Sequence, residues 1–173
     1  MVNWVIDSPY VVGNQPLTET STTARHQVGT IVTGHDADGT YGGAEFIYLK
    51  GVASTVVGSV VGYNSSTFTT SLGALGRNLP HPVAVAMSAN VASQYGWYQI
   101  SGIAIAAKSS ATSFAANAAL GLLTTATGLV VATASERQIH GALVMTVASA
   151  ASGRTTVTII CNRPHMGGSA TAA

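Results

Sequence analysis

The stretch from Gly39 to Gly62, GTYGGAEFIYLKGVASTVVGSVVG, constrains the fold more than any other part of the chain. Side chains alternate across a strand, so Phe46, Tyr48 and Lys50 share one face and Glu45, Ile47 and Leu49 the other. Both faces therefore carry large apolar groups. Gly51 breaks the run, and Val52 to Val61 reads as a second β-rich segment ending at Gly62. A partner stretch, GWYQISGIAIAAK, spans Gly96 to Lys108, with Trp97, Gln99 and Ser101 alternating against Tyr98, Ile100 and Gly102. Strands that are apolar on both sides must be covered on both sides. The pattern predicts an all-β chain, a single antiparallel barrel or sandwich of jelly-roll type, with its outer face covered by copies of itself.

Charge content points the same way. Only 8% of the 173 residues are charged, against roughly 25% in an ordinary soluble domain. Lysine contributes only Lys50 and Lys108. A surface with so little charge has little repulsion to keep copies apart, so self-association is expected. The formal net charge is +1 with the bases scattered, which gives direct nucleic-acid binding no basic stripe to use. No apolar run reaches about 18 residues, so no transmembrane helix and no membrane partner are expected. Asp7 and Pro9 interrupt any early apolar run, which argues against a signal peptide. Cys161, the single cysteine, lies in the apolar run TVTIIC and reads as buried, inert packing.

Three parts are expected along the chain: an extended N-terminal arm over 1–24, a β domain over 25–165 and a flexible tail over 166–173. The arm contains the turn-rich stretch GNQPLTETSTTA, and its aromatic anchors against a neighbour would be Trp4 and Tyr10. A plain edge strand is the alternative for its first residues. HQVGTIVT, from His26 to Thr33, reads as a short strand, and GHDADGT as a hairpin turn with His35 and Asp36 solvated. Asp36 and Asp38 resemble the start of a calcium loop, but the twelfth position is Ile47 in place of Glu. Asn64 to Asn78 reads as a connection, Leu79 to Pro82 as rigid punctuation, and Val83 onward as a strand with a thin alanine face and a short helical turn near Ala89 to Ala92. Ser109 to Leu123 is mixed, with Gly121 as a turn or bulge. Strands follow at Gly128 to Thr133, Ile139 to Ala148 and Arg154 to Asn162, the last stopped by Pro164.

Chemistry-bearing motifs are sparse. The five histidines lie at least nine residues apart, and neither HExxH nor a CxxC partner for Cys161 occurs, so no metal site and no cofactor is predicted. The chain has no GxSxG elbow, no GxGxxG after a strand and no GxxxxGK[ST] loop. Of six carboxylates, Glu45 stands nearest a strand centre and is read as an ion pair with Lys50, Arg77 or a neighbouring subunit. No catalytic residue is assigned, and the chain is read as a non-enzyme. The interface candidates are Trp4, Tyr10, Glu45, Tyr48, Tyr98, Arg137 and Arg154. Trp97 and Tyr98 point to opposite faces of their strand, so one is core and the other an interface anchor or a sugar-stacking ring.

GAEFIYLKGVAS, the GWYQISG strand and the Pro-stopped final strand resemble the small β-rich decoration, or cement, proteins of tailed-bacteriophage heads. The likeness covers roughly residues 26–163, and the Ala-rich segment from Ala111 to Ala134 departs from it. It implies a virion protein on the outer surface of the capsid, assembled in the host cytoplasm. It further implies a homotrimer whose partner is the major capsid protein, bridging neighbouring shell subunits. Glu45, Phe46, Tyr48, Trp97 and Gln99 then match framework positions. The competing reading is a carbohydrate- or surface-binding β-sandwich module on the virion.

Overall fold

The computed structural model describes residues 3–7, 15–72, 81–123, 128–132, 137–150 and 156–167. Eleven strands follow in chain order: β1 (Trp4–Ile6), β2 (Ile31–Asp36), β3 (Gly43–Lys50), β4 (Val60–Tyr63), β5 (Thr70–Ser71), β6 (His81–Ala86), β7 (Tyr95–Ala107), β8 (Ala119–Leu122), β9 (Val130–Ala132), β10 (Gln138–Val144) and β11 (Thr156–Gly167). The fold is all-β and every strand pairing is antiparallel. One bent sheet runs in the order β1-β2-β3-β7-β6-β11-β10-β8-β9, with β4 joined to β5 and β6. It folds over on itself like a sandwich but does not close into a barrel.

The two long strands make the bend. The first half of β7 pairs with β3, from Tyr48 opposite Trp97 to Glu45 opposite Ser101. Its second half pairs with β11, from Asn162 opposite Ser101 to Thr156 opposite Ala107. Gly102 sits at the junction with φ +91°, where a Cβ would lie 2.5 Å from the Gly43 carbonyl oxygen. Only glycine supports that conformation and that approach at once.

Packing explains the alternation. Ile47, Leu49, Tyr98 and Ile100 face one core cluster, and Phe46, Tyr48 and Trp97 face another on the opposite side of β3 and β7. β4 and β6 form a wall between the first of these and the largest cluster: Val61, Ala84 and Ala86 face one side, Val60, Val83 and Val85 the other. The thin alanine face of β6 leaves room for the bulky Tyr98 and Leu49 opposite.

Several expectations are corrected. The outer face of β3 and β7 is covered by the chain itself: Leu17, Val28 and Trp4 pack on Phe46, Tyr48 and Trp97. Residues 15–21 are thus part of the folded body, with Ser21 and Tyr95 exchanging backbone hydrogen bonds of 3.0 and 2.8 Å. The run 52–59 turns in place of extending, because Gly58 takes φ +84° and the Ser59 N–H closes onto the Val56 carbonyl at 3.0 Å. Asn90 pairs with Thr55 in an isolated bridge, so Ala89 to Ala92 forms no helical turn. Gly121 lies inside β8, paired with Gln138 on one side and Val131 on the other. The strand expected to Ala148 ends at Val144, after which Ala148 and Phe114 exchange hydrogen bonds of 2.7 and 3.0 Å. Pro164 does not end β11. A bulge at Gly141 (φ +76°) and Arg163 (φ +43°) shifts the register there, so the proline falls where the ladder is already interrupted and the strand resumes to Gly167. Met166 is buried in that continuation, which extends the domain past the expected start of the tail.

Candidate functional site

The aromatic face behind β3 and β7 is held shut by one glutamine. The Gln15 side chain accepts a hydrogen bond from the Tyr48 hydroxyl at 2.7 Å and donates to the Tyr95 and Glu19 carbonyls at 3.0 and 2.8 Å. Its backbone carbonyl accepts from the Trp97 indole N–H at 3.0 Å. Four polar groups are thereby satisfied in an apolar setting, where each would be costly unpaired. His26 stands edge-on to Tyr48, with ring centres 5.1 Å apart, and burial followed by the nearby Arg25 charge lowers its pKa. Burial raises the pKa of Tyr48.

Both tyrosines proposed as interface anchors are therefore core. Tyr48 and Tyr98 are each 0% exposed. The Tyr98 hydroxyl accepts from the Asn90 side-chain amide at 2.7 Å, and burial pushes its pKa up to about 12. Trp97 is equally buried, which removes both rings that sugar stacking would have used. Cys161 is buried as expected, its thiol donating to the Gly102 carbonyl at 3.3 Å, and burial raises its pKa to about 12.

The remaining candidates separate. Trp4 is half-buried, edge-on to Phe46 at 5.4 Å, and lines a groove of about 300 Å³ with Thr18, Met87 and Gln99. Among the described residues Glu45 pairs with Arg163, in place of the expected Lys50, through two bonds of 3.0 and 3.1 Å; Arg77 lies outside the described residues. The bulge that carries Arg163 turns it toward β3, a placement that chain distance does not disclose. Arg137 donates to the Leu123 carbonyl at 3.4 Å. Tyr10 and Arg154 lie outside the described residues. The Asp36 carboxylate closes its own hairpin, accepting N–H groups of Asp38, Thr40 and Tyr41 at 3.3, 3.0 and 3.0 Å. His35 pairs with Asp7 in place of standing free.

The open face of the molecule is the outer side of β10 and β11. Ile139, Ala142 and Val144 on β10 and Val157, Ile159 and Cys161 on β11 face the core. The alternate positions face away from the core; most are polar (Gln138, His140, Thr156, Thr158 and Asn162), but two are large and apolar. Leu143 lies directly opposite Ile160, at 45% and 47% exposure. Met145 and Val147 continue the row, Val147 at 69%. Past the bulge the same face carries His140 directly opposite His165, their rings stacked with centres 5.5 Å apart. A groove of about 400 Å³ runs between the two parts, lined by Gln138, His140, Leu143, Ile160 and Asn162.

None of these four apolar residues was among the interface candidates. Their signal was in the sequence: Leu143, Met145 and Val147 keep one parity over the segment read as a strand, and Ile160 keeps the matching parity opposite. Among the described residues no group of three or more His, Cys, Asp or Glu side chains converges, and no helix is long and apolar enough to cross a membrane. No protein-family model matches the chain, and no curated protein is similar to it.

Proposed function

We propose that this chain is a non-enzymatic structural protein of a virion, which decorates and stabilises a phage capsid by bridging subunits of the major capsid protein. It acts as a homotrimer on the outer capsid surface, after assembly in the host cytoplasm. The observation that carries the reading is the set of exposed apolar side chains Leu143 and Ile160 on the outer face of β10 and β11, with Met145 and Val147 in the segment that follows β10. Exposed apolar side chains on a surface poor in charge suit a contact with another protein. Symmetry repeats such a contact, and repetition makes modest contacts strong. The low charge content and the likeness of the β3 and β7 segments to cement proteins support the same reading.

The experiment is cosedimentation of the purified protein with assembled empty phage heads, beside a Leu143→Ser/Ile160→Ser variant. The wild type pellets with heads at saturating stoichiometry; the variant, which cannot join copies through this face, loses the avidity of the trimer and stays in the supernatant. A wild-type chain that ignores heads overturns the capsid reading. Equal binding of wild type and variant overturns the assignment of this face.

A further inference from the structure

The sequence separates His140 from His165 by a turn and most of a strand, but the β10–β11 ladder sets them directly opposite each other. We propose that this cross-strand pair is a binding site for one borderline divalent transition-metal ion, zinc(II), nickel(II) or copper(II), held by one ring nitrogen from each histidine with water in the open positions. The site goes beyond the capsid reading and does not depend on it.

Geometry carries the proposal. With metal–nitrogen bonds of about 2.0–2.1 Å, each ring centre lies roughly 3.2 Å from the ion, so two rings on one tetrahedral centre stand about 5.2 Å apart. The observed separation is 5.5 Å, with the ring planes 26° apart. The spacing suits one ion, and the strands that carry the rings are already in register. Chelation requires the two exposed rings to turn out of their stacked arrangement until a nitrogen of each points at the same ion. Both residues are solvent-exposed, so an ion has access. Imidazole is the ligand that zinc, nickel and copper share, while magnesium and calcium prefer oxygen. No third His, Cys, Asp or Glu joins the pair among the described residues, which makes this an open site of moderate affinity.

Gly167 has a part in it. A Cβ on Gly167 would fall 2.4 Å from both Cδ2 and Nε2 of His140. The absence of a side chain there is what lets the His140 ring lie over β11, beside His165. Gly167 is a positioning residue: it touches no metal but decides where one ligand stands.

The test is calorimetric titration of the full chain with zinc(II), repeated with copper(II) and followed by the nitrogen hyperfine pattern in electron paramagnetic resonance. His140→Asn and His165→Asn keep a polar surface group and leave the core untouched. The wild type binds one ion per chain, with a two-nitrogen copper signature. Each asparagine variant binds at least about tenfold more weakly, the scale on which ligand surroundings act. Gly167→Ala, with both histidines present, weakens binding several-fold while the circular dichroism spectrum stays native. The proposal is overturned if the wild type binds no zinc at millimolar concentration. It is equally overturned if both asparagine variants bind as the wild type does, which would place the ion at His26, His35 or His81.

Discussion

Strands β3 and β7 bury both of their faces inside one chain, whereas β10 and β11 bury one face and leave the other, with Leu143 and Ile160 on it, in solvent. Both regions are apolar on the inward parity. On the outward parity β3 and β7 carry Phe46, Tyr48 and Trp97, while β10 and β11 carry Leu143 and Ile160 among polar Gln138, His140, Thr156, Thr158 and Asn162. They also differ in their cover. Residues 15–28 return across β3 and β7 and seal Phe46, Tyr48 and Trp97 with Leu17, Val28 and the Gln15 clamp. Among the described residues nothing lies over Leu143 and Ile160. A two-sided apolar strand thus has two solutions, a flap from its own chain or a partner, and this molecule uses the first at one end and is open to the second at the other.

The sharpest way to break the comparison is to hollow out the closed side. Trp97→Ala removes the largest fully buried ring and the bond that holds the Gln15 carbonyl. It should cost about 3–5 kcal/mol of unfolding free energy, read from the midpoint of a urea titration. A loss no larger than that of a surface substitution would mean the aromatic face is loosely held.

Alkaline pH probes the same region from its other face. The folded state holds the Tyr98 hydroxyl neutral, with a pKa of about 12 against an ordinary 10. Because the folded pKa is the higher one, this contribution is fully present below pH 10. It is lost as pH rises from 10 through 12, where the unfolded chain ionises first. The loss is about 3 kcal/mol at its end. Tyr98→Phe should flatten this part of the stability profile, and an unchanged profile would contradict the burial. The Cys161 thiol, raised to about 12 by the same cause, should resist thiol reagents until the chain unfolds.

Gln15→Ala tests the cover alone. It leaves the Tyr48 hydroxyl without its acceptor and the Tyr95 carbonyl without one donor, and should cost about 1–3 kcal/mol. Faster amide exchange confined to residues 15–28 would accompany it. The smallest effect on the stability of a single chain is expected at the open face, where Leu143→Ser or Ile160→Ser, measured at concentrations too low for copies to associate, should change the unfolding free energy by under about 0.5 kcal/mol.

Local alternation made much of this architecture legible. Phe46 against Ile47, and Trp97 against Tyr98, have the parity of two-sided strands, and their pairing follows. The cover was not legible, because its sequence, GNQPLTETSTTA, is polar and turn-rich. Leu17 is its one apolar anchor, and Gln15 looks like any solvated residue until Tyr48 and Trp97 are brought to it. The same limit explains Tyr48 and Tyr98 as false interface anchors: alternation tells which face a side chain takes, not whether a distant segment covers it. Glu45 with Arg163 and His140 with His165 arise from ladder register and a bulge, which chain spacing does not encode. Pro164 misled because a proline ends a regular strand but fits a bulged one.

The central claim is that the β10–β11 face is open because another subunit covers it. Light scattering at low micromolar concentration tests this most directly, on the wild type beside a Leu143→Ser/Ile160→Ser variant with a native circular dichroism spectrum. The account predicts a wild-type mass three times the 17.5 kDa of one chain and a variant mass of a single chain. A monomeric wild type, or a variant that stays trimeric, would contradict it.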